Sequence, residues 1–187
     1  MRIIGGAYSG RPLVAPKGRA TRPTADRARE SLFNILEHNP EYSLAGARVI
    51  DLFAGSGALG FEAMSRGASF CLFVESDADA RAAIRDNIEA LGLFGNTRLH
   101  RRSATTLGAK PAGVGPGFTL AFLDPPYGKD LSRAALEALK SGAWLADGAL
   151  VLVEQGKGEA PVAVPGYVEA DRRDYGAAQI GFFRVRA

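Results

Sequence analysis

Apolar positions repeat with two different periods along the chain. Between Pro23 and His38 the period is helical: Ala28, Leu32, Ile35 and Leu36 fall at i, i+4, i+7 and i+8, one stripe of a helix opened by Pro23-Thr24 with Thr24 as its cap. From about Ala47 short apolar runs take over, and strands are predicted at Arg48–Phe53, Ser69–Glu75, Thr97–Arg101, Phe118–Asp124 and Ala149–Glu154. Helical segments are predicted between them at Ala58–Arg66, Ala78–Leu91 and Leu131–Ser141. Leu120-Ala121-Phe122-Leu123 and Leu150-Val151-Leu152-Val153 lack polar alternation, the pattern of parallel strands covered on both faces. Parallel strands joined through helices need right-handed crossovers, so the expected architecture is a Rossmann-like, doubly wound α/β sheet. Stretches 108–117 and 156–166, rich in Gly and Pro, read as loops. Two alternating segments, Tyr167–Asp174 and Gln179–Arg186, flank Tyr175-Gly176 and predict a hairpin closing one edge. The sheet is then seven-stranded and mostly parallel, with its last strand antiparallel.

Composition narrows this picture to one domain. At 187 residues and 47% apolar, the chain can bury about 70% of its unfolded surface without a covalent or metal staple. Cys71 is the single cysteine, which excludes an intrachain disulfide; it reads as an apolar residue inside the second strand. No apolar h-region follows Met1-Arg2-Ile3-Ile4-Gly5-Gly6 and no run reaches the ~18 apolar residues of a membrane span, so a cytoplasmic protein is expected. The net charge of +3 conceals an asymmetry. Residues 1–29 hold Arg2, Arg11, Lys17, Arg19, Arg22, Arg27 and Arg29 against Asp26 alone, while the remainder carries 16 basic and 19 acidic residues. Such an arm, extended or hairpin-like over 2–22, can grip a phosphate backbone, and a solvated terminus accounts for it equally. Arg101-Arg102 and Arg172-Arg173 divide between the same two readings. Trp144 reads as core. His38 and His100 stand apart, without metal-ligand spacing, so no metal is expected.

The first strand runs into Ala54-Gly55-Ser56-Gly57-Ala58-Leu59-Gly60, a G-x-G-x-x-G between a strand and a helix. Its glycines permit a tight turn, and the helix start offers free N–H groups to an anion. Glu75, at the end of the second strand, is placed to accept hydrogen bonds from ribose hydroxyls. An adenosine-bearing ligand follows, and both dinucleotides and S-adenosylmethionine qualify. Asp51 separates them. A carboxylate there repels a pyrophosphate but attracts the ammonium of a methionine moiety. The small size also leaves little chain for the substrate domain of a dehydrogenase.

The fourth strand ends in Asp124-Pro125-Pro126-Tyr127. By the crevice rule this segment faces the ligand held by the glycine loop. The prolines stiffen it and donate no N–H, leaving outward carbonyls. An acidic acceptor, rigid carbonyls and an aromatic ring suit a planar group bearing an exocyclic NH₂. Asp124 and the Pro125 carbonyl can accept its two hydrogens while Tyr127 stacks on its face. That draws the nitrogen lone pair out of ring conjugation toward a sulfonium methyl, with Asp124 as proton acceptor.

The segment Asp124–Tyr127 resembles the [D/N]-P-P-[Y/F] motif of amino methyltransferases acting on adenine N6 or guanine N2. With Arg2-Ile3-Ile4-Gly5-Gly6, Gly10-Arg11, Thr21-Arg22-Pro23-Thr24, Asp26-Arg27, Arg29-Glu30, Leu32–Leu36, Asp51–Gly60 and Tyr175-Gly176, nearly the whole chain resembles the bacterial 16S ribosomal RNA guanine-N2 methyltransferase family. The resemblance implies a class I methyltransferase fold over 41–187 and an RNA-contacting arm and helix over 1–40. It implies S-adenosylmethionine on Asp51, Phe53, Ala54, Gly55, Ser56, Gly57, Gly60 and Glu75, with Ser103 and Ala104 beside the adenine. The target guanine would sit on Asp124, Pro125, Pro126 and Tyr127. The implied partner is 16S ribosomal RNA or the small-subunit particle, met by a monomer. Motif chemistry alone leaves adenine N6 on RNA or DNA open, as well as a non-catalytic rRNA-binding assembly factor.

Overall fold

Strands β1 (Arg48–Leu52), β2 (Phe70–Val74), β3 (Thr97–His100), β4 (Phe118–Leu123), β5 (Leu145–Gly156), β6 (Tyr167–Tyr175) and β7 (Ala178–Val185) form a single sheet in the order β3-β2-β1-β4-β5-β7-β6. The computed structural model describes residues 1–18, 23–128 and 130–186. β1 to β5 are parallel, and β7 inserts antiparallel between β5 and β6. Helices α1 (Pro23–His38), α2 (Ala58–Ser65), α3 (Ala78–Leu91) and α4 (Leu131–Ser141) supply the cover.

Alternate residues of each central strand feed opposite cores, as sheet geometry requires. Val49, Cys71, Phe73, Leu120 and Phe122 face a core with α1, α2 and α3, whereas Ile50, Leu52, Leu72, Val74 and Leu123 face α4 and the buried Trp144. This two-sided burial explains the unbroken apolar runs. Among the described residues, no helix is long and apolar enough to cross a membrane.

Several boundaries differ from expectation. β3 stops at His100, before Arg101, and β5 begins at Leu145, earlier than Ala149. The final turn falls at Gly176-Ala177, where Gly176 takes a left-handed φ of 60°. A short 3₁₀ turn, Ala112–Val114, lies within the stretch read as loop. Helix α1 starts at Pro23 itself, a position where a missing N–H costs nothing, so Thr24 lies inside the helix. Its buried line is Arg29, Leu32, Phe33 and Leu36, rotated from the expected stripe because Phe33 packs against Phe122 with ring centroids 5.6 Å apart.

The first residues fold back on themselves and onto the body. Ile3 N donates to Arg11 O (3.0 Å), Gly10 N to Ile3 O (2.8 Å) and Leu13 N to Met1 O (3.0 Å). Ile3 and Leu13 are buried in the same core as α1 and α2. The described part of the arm thus packs as a layer on the body.

Candidate active site

Register builds the site. Leu52 pairs with Val74 and with Leu123, Val74 with His100, and Leu123 with Val153. The next residues along, Phe53, Glu75, Asp124 and Glu154, therefore gather at the carboxyl edge of the sheet. The order of strands reverses between β1 and β4, which is where open α/β sheets form their ligand crevice.

The glycine loop is shaped by close approach. A Cβ at Gly60 would lie 2.4 Å from the Phe73 ring and 2.7 Å from Cys71 Sγ, so only glycine lets α2 start this near β2. Phe53, Gly55 and Gly57 take φ of 58°, 58° and 81°, the left-handed region. Two acids hold the turn from below. Gly60 N donates to Asp51 Oδ2 (3.0 Å), while Gly55 N and Asp77 N donate to the two carboxylate oxygens of Glu75 (2.8 Å each). Ala54 is buried behind the loop, and Phe53 and Ser56 are half-buried along it.

Acidic side chains gather at this edge. Asp51 is 2% exposed, and burial pushes its carboxyl well above the usual carboxylate range; Asp124 and Glu75 push it further, against the Gly60 N–H. A cationic ligand would offset that cost, and the ammonium and sulfonium of S-adenosylmethionine fit it. Glu75 accepts one backbone N–H on each oxygen, and a carboxylate keeps capacity for ribose hydroxyls beyond these. Past β3, Ser103 is exposed and caps its own turn, accepting from Thr105 N (3.3 Å) with its hydroxyl 2.9 Å from Thr105 Oγ1. Ala104 lies buried beneath it.

Asp124 is exposed, Pro125 is buried, and Pro126 is exposed. Tyr127 is 48% exposed, yet its hydroxyl donates to Glu154 Oε1 at 2.5 Å. Burial, and then this bond to Glu154, push the phenol above its ordinary value. A cavity of about 270 Å³ opens here, lined by Pro125, Pro126, Tyr127, Ser132, Glu154 and Glu159 among others. It has a stiff apolar wall, an aromatic face and carboxylates, suited to a flat base with N–H donors.

The basic residues fall into two groups. Arg2, Arg11, Lys17 and Arg27 are exposed, with Arg11 also donating to Ala90 O (2.6 Å). Arg19 and Arg22 lie outside the described residues. Arg29 corrects the expectation of a phosphate contact. It is 7% exposed, donates to Arg2 O (2.6 Å) and Asp26 Oδ1 (3.2 Å), and lies 3.6 Å from the fully buried Glu62. Glu62 also pairs with Arg66 (2.8 Å) and accepts Ile4 N and Gly5 N (2.9 Å each), so Arg29 is an internal cation.

Three polar residues escaped the sequence reading. Glu62 ties the arm to α2. Asn87, 1% exposed, accepts Val14 N (2.7 Å) and donates to Val14 O (3.0 Å) and Ser56 O (3.2 Å), linking arm and glycine loop. Glu154 lies beside the Asp124 segment only through strand register. Position in sequence signals none of them, although a Glu within a short apolar helix, as at Glu62, is a sign of a buried partner.

The family described as conserved hypothetical protein 95 matches residues 1–184. Ribosomal RNA small subunit methyltransferase D of Escherichia coli is 38% identical over 154 residues, covering 82% of this chain and 74% of its own. YlbH of Bacillus subtilis, described as a candidate rRNA methyltransferase, is 35% identical over 187 residues and 100% of both chains. A solved structure of Escherichia coli yhhF, described as a candidate methyltransferase, superposes with a TM-score of 0.82 at 32% identity, covering 100% of this chain and 98% of its own.

Proposed function

The chain belongs to the family described as conserved hypothetical protein 95, and on that footing we propose its reaction: it is an rRNA methyltransferase that carries a methyl group from S-adenosylmethionine to the exocyclic N2 of a guanine in 16S ribosomal RNA. One observation carries this reading. Asp124-Pro125-Pro126-Tyr127 and the acid-backed glycine loop leave adjacent parallel strands on one edge.

Asp51, Phe53, Ala54, Gly55, Ser56, Gly57, Gly60 and Glu75 would hold the cofactor, with Ser103 and Ala104 at its adenine. When bound, S-adenosylmethionine supplies an electrophilic methyl on a positively charged sulfur. The chain's task is to orient the acceptor. Asp124 and the Pro125 carbonyl accept the two N2 hydrogens and keep the lone pair out of ring conjugation. Tyr127 stacks the base, a contact worth ~1–3 kcal/mol, enough to offset much of the cost of unstacking one nucleotide. Asp124 then takes the proton that N2 sheds on alkylation.

The exposed Arg2, Arg11, Lys17 and Arg27, with Arg19 and Arg22, supply the phosphate grip, so residues 1–40 contact RNA and 41–187 carry the chemistry. A single copy meets the RNA or the small-subunit particle. Labelled methylation of small-subunit particles and of free 16S RNA, followed by mapping of the modified base, tests this. Label on guanine N2 is expected. Label on adenine N6, or binding with no transfer, would establish one of the two rivals instead.

A further inference from the structure

Asp124 has a neighbour with no part in the reading above. Leu123 and Val153 pair in parallel register on strands ~4.8 Å apart, so Asp124, the first residue past β4, and Glu154 of β5 come next at the carboxyl edge, both close enough to act on Tyr127. Glu154 is half-buried, and its Oε1 accepts the Tyr127 hydroxyl at 2.5 Å. It therefore stands at the rim of the very ring proposed to stack the base, in the same cavity as Pro125 and Pro126.

We infer that Glu154 is the specificity-determining residue that selects guanine over adenine by accepting the N1–H of the target base, with Tyr127 as its positioning residue. The inference rests on the guanine reading of the site. A guanine presents two neighbouring donors on its Watson–Crick edge, N1–H and the N2 amine. Two carboxylates at the carboxyl ends of adjacent strands meet them as a pair, Asp124 on N2 and Glu154 on N1. A carboxylate only accepts, and a single bond from Tyr127 leaves it further lone pairs for N1–H. Adenine reverses the pattern at N1, which is an acceptor. Against Glu154 it would set lone pair against lone pair and leave a desolvated carboxylate without its donor, the arrangement by which hydrogen-bonding sites reject analogues. Tyr127 thus does two things: its ring carries the base, and its hydroxyl holds the selecting carboxylate.

The test replaces the mapped target guanine with 2-aminopurine, which keeps the exocyclic 2-amine but has an acceptor at N1. Methyl transfer from labelled S-adenosylmethionine is measured on both RNAs as kcat/KM. The wild-type chain should prefer guanine by roughly 10–100-fold, the worth of one charge-assisted hydrogen bond. In E154Q, whose amide can donate to N1, that ratio should fall at least tenfold, with S-adenosylmethionine affinity unchanged. Y127F, which keeps the ring, should lower the same ratio by a smaller factor, and it carries the test if E154Q does not fold. A merely structural Glu154 would lower both rates together and leave the ratio intact, which overturns the inference. Absence of wild-type transfer to guanine would instead overturn the reading on which it rests.

Discussion

Two regions of this molecule handle buried charge in opposite ways. Where the arm meets α2, Glu62 is enclosed by Arg29, Arg66 and two backbone N–H groups, so opposite charges match and the donors are nearly all used. At the carboxyl edge, Asp51, Glu75 and Asp124 are gathered close enough to raise the Asp51 carboxyl. The first arrangement is complete within the chain and belongs to stability. The second concentrates like charge beside a buried carboxyl, the pattern typical of a functional site. The contrast also divides the basic residues: Arg29 is part of the first arrangement, whereas the exposed arm cations are available to a partner.

The largest effect should come from the matched region. Glu62→Ala removes the buried carboxylate shared by Arg29 and Arg66 and leaves two backbone donors unpaired, and a loss of about 3–5 kcal/mol is expected in denaturant unfolding; a change within experimental error would show that the network is slack. Next comes the unmatched edge. Asp124→Ala should lower methyl transfer roughly 10²–10³-fold, the range for one positioned polar group, with melting temperature and cofactor affinity nearly unchanged.

A smaller effect separates the two kinds of cation. Arg27→Gln should reduce the salt slope of RNA binding by about 0.7–0.9 if it meets one phosphate, at constant melting temperature. Arg29→Gln should do the reverse, lowering the melting temperature and leaving the slope alone. Equal behaviour of the pair would erase the distinction.

The gentlest probe is pH. Asp51 titrates higher folded than unfolded, so its protonated form favours the fold. Its contribution is fully present below the unfolded value near ~3.9 and is lost as pH rises toward the folded one. Asp51→Asn should flatten that decline in the ligand-free protein and weaken cofactor binding. An unchanged pH profile would mean that the acids do not strain the fold.

What sequence could show was local. Runs such as Leu120–Leu123 and Leu150–Val153, the glycine loop and the Asp124–Tyr127 segment each carry their signal within a few residues, and the structure brings these together. Glu62 and Arg29 were hidden because the backbone groups they hold are distant: Ile4 lies 58 residues from Glu62, and Arg2 lies 27 from Arg29. Glu154 was hidden for a different reason, since its meeting with Tyr127 depends on the pairing of β4 with β5. Phe33 was left off the predicted stripe of α1, whose rotation a set of similar apolar residues leaves undetermined until a partner, Phe122, is in place. Trp144 was legible as core, though the Gly108 carbonyl that its indole N–H reaches at 2.8 Å was not.

The most direct measurement compares wild type with Asp124→Ala on small-subunit particles, using S-adenosylmethionine labelled in its methyl group and mapping the product base. Label is expected on the exocyclic N2 of one guanine with the wild-type chain, with nearly all of it lost in the variant at equal cofactor binding. Undiminished label with Asp124→Ala, or label on any other atom, would contradict the proposed reaction.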